Sequence, residues 1–79
     1  MQSTNSTTHF NGKIIVLPKI VGLWQEYKKD YSLVFIQFDG GGIMKEKIYK
    51  KNYSPKTEAE CRIHDLTCEL NNYYSQLRP

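Results

Sequence analysis

Two cysteines and a histidine are the residues of this chain whose types could do chemistry. Cys61, His64 and Cys68 follow one another at i, i+3 and i+7, which places them on one side of a helix. Zinc binds thiolates and imidazoles, but the two sulfur atoms would lie two turns apart, whereas the ligands of a tetrahedral site converge on one ion. A fourth ligand would have to come from His9 or from a second chain. We therefore predict no metal site and no cofactor, and we expect the cysteines to be buried or half-buried beside the apolar stripe of the helix.

A catalytic Cys–His pair is a second interpretation of the same residues. It requires a thiolate beside a base in an electropositive, concave site. The predicted helix instead carries Glu58, Glu60 and Asp65 around the pair, which creates the opposite field. We predict no catalytic residues and a protein that is not an enzyme, since an enzyme would need a composite site between subunits.

The glycines at 40–42 could form a ligand loop, because glycine lets backbone N–H groups approach a phosphate. They are not followed by Lys-Ser or Lys-Thr, they do not open a helix, and they match no dinucleotide fingerprint. A hairpin turn after Asp39, with positive φ, explains all three glycines.

Lysines interleaved with tyrosines are the best candidate for a binding site. Such residues can hold phosphates while the rings stack on bases, as in proteins that bind single strands. The first 51 residues contain no arginine, which planar phosphate or base recognition favours, and the alternative is a solvated strand edge. The candidate ligand- or partner-binding residues are Lys45, Lys47, Tyr49, Lys50, Lys51, Tyr53 and Lys56.

Large aromatic residues suggest a second surface, because Tyr and Trp anchor interfaces when they are not in the core. We predict an oligomer interface that includes Trp24, Tyr31, Phe35 and Tyr74, with Trp24 in the core or at the subunit contact. One of Tyr73 and Tyr74 should be exposed.

Size and charge limit the function classes. A chain of 79 residues makes one domain of a size that often needs a disulfide, a metal ion or a second subunit for stability. Cys61 and Cys68 would lie about 10 Å apart along a helix, too far for a disulfide, so we predict a homo-oligomer. The net charge is +3; residues 1–51 have eight lysines against four acidic residues, giving +4, and the remainder is −1.

The sequence has no apolar run of membrane-spanning length and no signal-peptide pattern, which predicts a cytoplasmic protein without a membrane partner.

Turn and cap signals define the elements. We predict a mobile tail over residues 1–8 with a first strand near 6–10, further strands at about 13–17, 20–28, 31–39 and 43–49, and a helix at about 55–76. Asn11-Gly12 is a hairpin signal, Pro18 interrupts the ladder, and Ser54-Pro55 starts the helix.

The predicted fold class is α+β: a small curled antiparallel sheet of four to five strands, followed by one C-terminal helix packed on it. The strand at 31–39 has apolar residues on both faces, so the face without the helix needs a curled sheet or a partner chain as cover. Leu66 lies within the apolar stripe of the helix, and Glu69 is expected on the opposite, exposed face. The helix stripe comprises Ala59, Ile63, Leu66, Leu70, Tyr73 and Leu77.

These observations favour a small non-enzymatic binding protein that acts by contact with a macromolecular partner or a small anionic ligand. Its size suits an inhibitory or sequestering accessory protein of phage or mobile-element type. The alternative is a nucleic-acid-binding module that uses the basic Lys/Tyr segment 45–56. The order of strands and capped helix resembles bacterial and phage β-β-β-α modules, including LytTR-type DNA-binding domains, in topology only; no residue motif extends the resemblance to function.

Overall fold

The computed structural model describes residues 6–76, which form five strands and one α-helix. The bounds of the second to fifth strands and of the helix differ from the predicted ones by at most one residue. The elements are β1 (Thr7–Phe10), β2 (Lys13–Val16), a 3₁₀ turn (Leu17–Lys19), β3 (Ile20–Tyr27), β4 (Tyr31–Phe38), β5 (Ile43–Tyr49) and α1 (Pro55–Gln76).

The strands form two antiparallel sheets. β1 pairs with β2, and β3, β4 and β5 form a separate three-stranded sheet with β4 in the middle. The α+β class with antiparallel strands and one C-terminal helix is confirmed, but the prediction of one curled sheet of four to five strands is wrong. Pro18 lies in the 3₁₀ turn between β2 and β3, where its missing N–H and fixed φ end the first ladder.

The first hairpin has the predicted two-residue turn. Asn11 and Gly12 both adopt positive φ, 52° and 75°, and Phe10 is the partner of Lys13 across the turn. The predicted tail over residues 1–8 overlaps β1 at Thr7 and Thr8, and Thr8 is only 8% exposed. Residues 1–5 of that tail lie outside the described part of the chain.

The three-stranded sheet has an inner face that is covered by α1. Ser32, Val34 and Ile36 alternate along β4 and are fully buried there. Ala59 and Leu66 of α1 are fully buried as well. The rest of the predicted helix stripe, Ile63, Leu70 and Tyr73, packs against this core, and Leu77 lies outside the described residues.

The β1–β2 hairpin packs on the same side of the sheet as α1. Phe10, Ile15 and Leu17 are buried in one core cluster with Val34 and Leu66. Helix and hairpin therefore share the inner face, and the hairpin does not cover the other face of the sheet.

A polar contact between the hairpin and α1 corrects the prediction for Glu69. Its Oε2 accepts a hydrogen bond of 2.7 Å from the Oγ1 of buried Thr8. Glu69 is half-buried because the hairpin, whose position the sequence did not indicate, lies against this side of the helix. The expectation that Glu69 lies on an exposed face is wrong.

The N-terminus of α1 is capped as predicted. The backbone N–H of Thr57 donates to Oγ of Ser54 at 3.4 Å, and Pro55 begins the helix. Oε2 of Glu58 accepts hydrogen bonds of 2.8 Å from the backbone N–H groups of Asn52 and Tyr53. These bonds hold the connection between β5 and α1 against the helix start.

Candidate functional site

The outer face of the three-stranded sheet is the candidate site. Tyr31, Leu33 and Phe35 alternate with the buried residues of β4 and therefore point away from α1. No element within residues 6–76 packs over them. We call this surface the open sheet face; by strand register it comprises Gly22, Trp24 and Glu26 of β3, Tyr31, Leu33, Phe35 and Gln37 of β4, and Ile43, Lys45, Lys47 and Tyr49 of β5.

Two aromatic pairs lie across the strands of the open sheet face. Trp24 and Phe35 are register partners, and their rings are stacked with centroids 5.2 Å apart and an interplanar angle of 7°. Tyr31 and Tyr49 are partners as well, with centroids 6.3 Å apart. Trp24 is 37% and Tyr49 is 59% exposed, so both rings present surface to a ligand.

Two lysines lie among these rings. Lys45 is opposite Phe35, Lys47 is opposite Leu33, and the Nζ of Lys47 lies 4.9 Å from the centre of the Tyr31 ring. The ion pairs recorded within residues 6–76 do not involve either lysine. Of the described strand residues on this face, Glu26 alone is acidic. The face therefore combines aromatic surface with two cations that form no ion pair among residues 6–76.

The structure brings part of each predicted residue set together. Lys45, Lys47 and Tyr49 share the open sheet face with Trp24, Tyr31 and Phe35. Trp24 is accordingly a surface residue of a single chain. The sequence indicated the alternation of each strand, but it did not show that both sets face the same side, because that depends on the registers of β3 and β5 against β4.

Other predicted site residues lie elsewhere. Lys50, Lys51 and Tyr53 are exposed in the connection between β5 and α1, and the Nζ of Lys56 lies 5.2 Å from the centre of the Tyr27 ring. Tyr74 lies on α1 beside β3, on the inner side of the sheet. Tyr74 is 44% exposed, whereas Tyr73 packs against the core, so the prediction that one of the two is exposed is confirmed.

The Cys–His cluster forms neither a closed site nor part of the core. The Nε2 of His64 and the Sγ of Cys68 are 3.5 Å apart, and Cys61 and Cys68 are both exposed. The expectation of buried or half-buried cysteines is wrong, because the buried stripe of α1 centres on Leu66 and turns both thiols outward. Across residues 6–76, no group of three or more histidine, cysteine or acidic side chains is arranged to hold a metal ion.

The glycine-rich turn joins β4 to β5. Gly40 and Gly41 adopt positive φ of 100° and 94°, but Gly42 does not, so the requirement for positive φ explains two of the three glycines. The N–H of Phe38 donates to the carbonyl oxygen of Gly42 at 2.7 Å, which closes the hairpin. The turn thereby sets the register that places Lys45 opposite Phe35.

Comparison of the chain with known protein families, with curated proteins and with solved structures finds no match. No helix in the described part of the chain is long and apolar enough to cross a membrane.

Proposed function

We propose that the chain is a non-enzymatic binding protein whose open sheet face binds single-stranded nucleic acid. One observation carries this proposal: Lys45 and Lys47 share an uncovered sheet face with the rings of Trp24, Tyr31 and Tyr49. Side chains that stack on bases and side chains that hold phosphates are thus neighbours on one surface.

The chemistry of these residues favours binding without base readout. Stacking of a base on an aromatic ring contributes about 1 to 3 kcal/mol and tolerates every base, because each base has a π face. Lysine holds phosphate as a point charge and lacks the planar fork with which arginine makes bidentate contacts. We expect the protein to bind single strands of different sequence with similar affinity.

The charge of the site predicts a modest dependence on salt. Lys45 and Lys47 lie on the face, and Lys50 and Lys51 follow directly at the end of β5. If between two and four lysines each neutralise one phosphate, the logarithm of the binding constant should fall with the logarithm of the salt concentration with a slope of about −1.4 to −2.8. Binding should therefore be strongest at low salt.

A titration of a fluorescently labelled oligothymidylate tests the proposal. The double variant Lys45→Gln/Lys47→Gln should weaken binding and reduce the salt slope by about 1.4, since about 0.7 is lost per phosphate contact. Lys13→Gln/Lys19→Gln is the matched control, because both lysines are exposed and lie outside the open sheet face. The control should retain the affinity and the slope of the wild type.

A protein partner is the rival occupant of the same face. Absence of oligonucleotide binding by the wild type at low salt would exclude nucleic acid. Equal losses in the two double variants would show that only the net charge matters, which would also contradict a site on the open sheet face.

A further inference from the structure

β3 is an edge strand whose outward backbone groups can be assigned. The N–H of Lys28 donates to the carbonyl oxygen of Tyr31 at 2.9 Å, and hydrogen-bonded pairs recur at every second residue of an antiparallel ladder. Residues 22, 24 and 26 therefore bond to β4. The N–H and C=O groups of Leu23, Gln25 and Tyr27 point away from the sheet, and no strand within residues 6–76 pairs with them.

β5 forms the other edge, and its composition opposes pairing. The bond between Phe38 and Gly42 closes the ladder with β4, so the outward groups of β5 belong to residues 43, 45, 47 and 49. Lys45 and Lys47 would bring like charges together in a pair of β5 strands, which is how natural edge strands discourage association. Strand β3 (Ile20–Tyr27) contains no lysine and no proline, and its β-bulge between Ile20 and Gly22 precedes the segment Gly22–Glu26, so this segment of the edge lacks such protection.

Apolar side chains flank the β3 edge on both sides of the sheet. Trp24 lies on the open sheet face, and Val21, at the β-bulge three residues before it, is 61% exposed. On the inner side, a groove between β3 and α1 is lined by Leu23, Leu70 and Tyr74. An added strand at this edge would cover apolar surface as well as form backbone hydrogen bonds.

We infer that a second copy of this chain pairs with β3 in antiparallel orientation, with the two-fold axis at Trp24. In this register, Leu23 exchanges hydrogen bonds with Gln25 of the second copy, and Gln25 does so with its Leu23. Trp24 faces Trp24 of the second copy, and Glu26 faces its Gly22. No like charges are therefore opposed within Gly22–Glu26. The edge is thus complementary to itself, as a two-fold interface requires.

The pairing would join two open sheet faces into one surface. In this register, residues that face each other across the two β3 strands belong to the same face of their sheets. The helices of both copies therefore lie on one side of the combined sheet, and both open sheet faces lie on the other. The second copy then places its Trp24 beside Trp24 at the centre of the aromatic surface. The joined surface favours the binding of longer single strands, a consequence that rests on the proposed function. The pairing of the edges does not rest on it.

The mass of the full chain in solution, measured by light scattering without nucleic acid, tests the pairing. The wild type should have twice the mass of the chain at high micromolar concentration. Gln25→Pro removes an N–H that points to the second copy and leaves the ladder to β4 intact, so this variant should be monomeric with an unchanged circular dichroism spectrum. Lys45→Pro, which removes an outward N–H on the β5 edge, should remain dimeric.

Two lysine substitutions repeat the test without a change of backbone chemistry. Val21→Lys should shift the mass towards the monomer, because it places charges at the β3 edge. Ile14→Lys, at a β2 position that is 68% exposed, should leave the dimer unchanged. A wild type that stays monomeric, or a dimer that persists in folded Gln25→Pro and in Val21→Lys, would overturn the inference. Oligonucleotide binding by a monomeric wild type would uphold the proposed function while the dimer is rejected.

The register can be tested by a disulfide. Trp24→Cys in a Cys61→Ser/Cys68→Ser background should form a dimer under mild oxidation, since cross-strand neighbours lie within disulfide reach. Glu26→Cys in the same background is the control. This variant should form far less disulfide-linked dimer, because Glu26 faces Gly22 of the second copy. A reversed order of yields would exclude an axis at Trp24.

Discussion

Ser32 shows how a single residue of β4 departs from the apolar pattern around it. Its side chain is fully buried, and its Oγ has no hydrogen-bond partner within residues 6–76. A buried polar group without a partner costs about 1 to 3 kcal/mol in free energy of unfolding. The inner face therefore contains one polar position whose hydroxyl does not stabilise the fold.

Removing this hydroxyl should increase stability. We predict that Ser32→Ala raises the free energy of unfolding by about 1 kcal/mol in denaturant melts, because the cost of the unpaired group disappears. Thr8→Val is the control, since the Thr8 hydroxyl is also buried but donates to Glu69. That variant should lose stability. If Ser32→Ala destabilised the protein as much as Thr8→Val, the Ser32 hydroxyl would have a partner after all.

At the scale of elements, Arg62 of α1 connects three of them. Its Nε lies 3.2 Å from Oε1 of Glu46 on β5, and its guanidinium donates to the carbonyl oxygen of His9 on β1. The other carboxylate oxygen of Glu46 accepts a hydrogen bond of 2.8 Å from the backbone N–H of Asn11. Both charged side chains are largely shielded, at 27% and 21% exposed, so solvent screens this contact less than a surface pair.

Loss of this connection should loosen the hairpin. We predict that Arg62→Met lowers the free energy of unfolding by about 1.5 to 3 kcal/mol, the range for hydrogen bonds to charged groups, and increases amide hydrogen exchange in β1 and β2. Lys28→Met is the matched control, because the Lys28–Glu26 pair is exposed and 4.0 Å apart. That change should cost at most about 1 kcal/mol. Equal effects of the two substitutions would contradict a structural role for Arg62.

Local signals were sufficient to predict the elements but not their association. Asn11-Gly12 and Ser54-Pro55 act through backbone conformation and capping, which depend on neighbours in the chain, and the structure shows both. Pro18 marks the break between β2 and β3, but the half-buried state of Glu69 depends on where the β1–β2 hairpin packs. That position is set by contacts between residues distant in sequence, such as Thr8 with Glu69, and no local pattern indicates it.

At the scale of the whole molecule, the unequal cover of the sheet creates the candidate site. Helix and hairpin lie on one face, which leaves Leu33 and Phe35 of the central strand without cover from residues 6–76. The alternation of β4 predicted that its second face would need cover from a curled sheet or from a partner chain. The sequence could not show that Trp24 and Lys45 would meet on that face, because they are joined only through their registers with Phe35.

The intrinsic fluorescence of Trp24 tests the binding of single strands by the open sheet face most directly. The chain has one tryptophan, and it lies on this face, so its emission reports on this surface alone. Adding unlabelled oligothymidylate at low salt should quench the emission as bases stack near the indole, and added salt should reverse the change. Emission that stays constant while an independent assay shows the oligonucleotide bound, or the absence of any binding at low salt, would contradict the account.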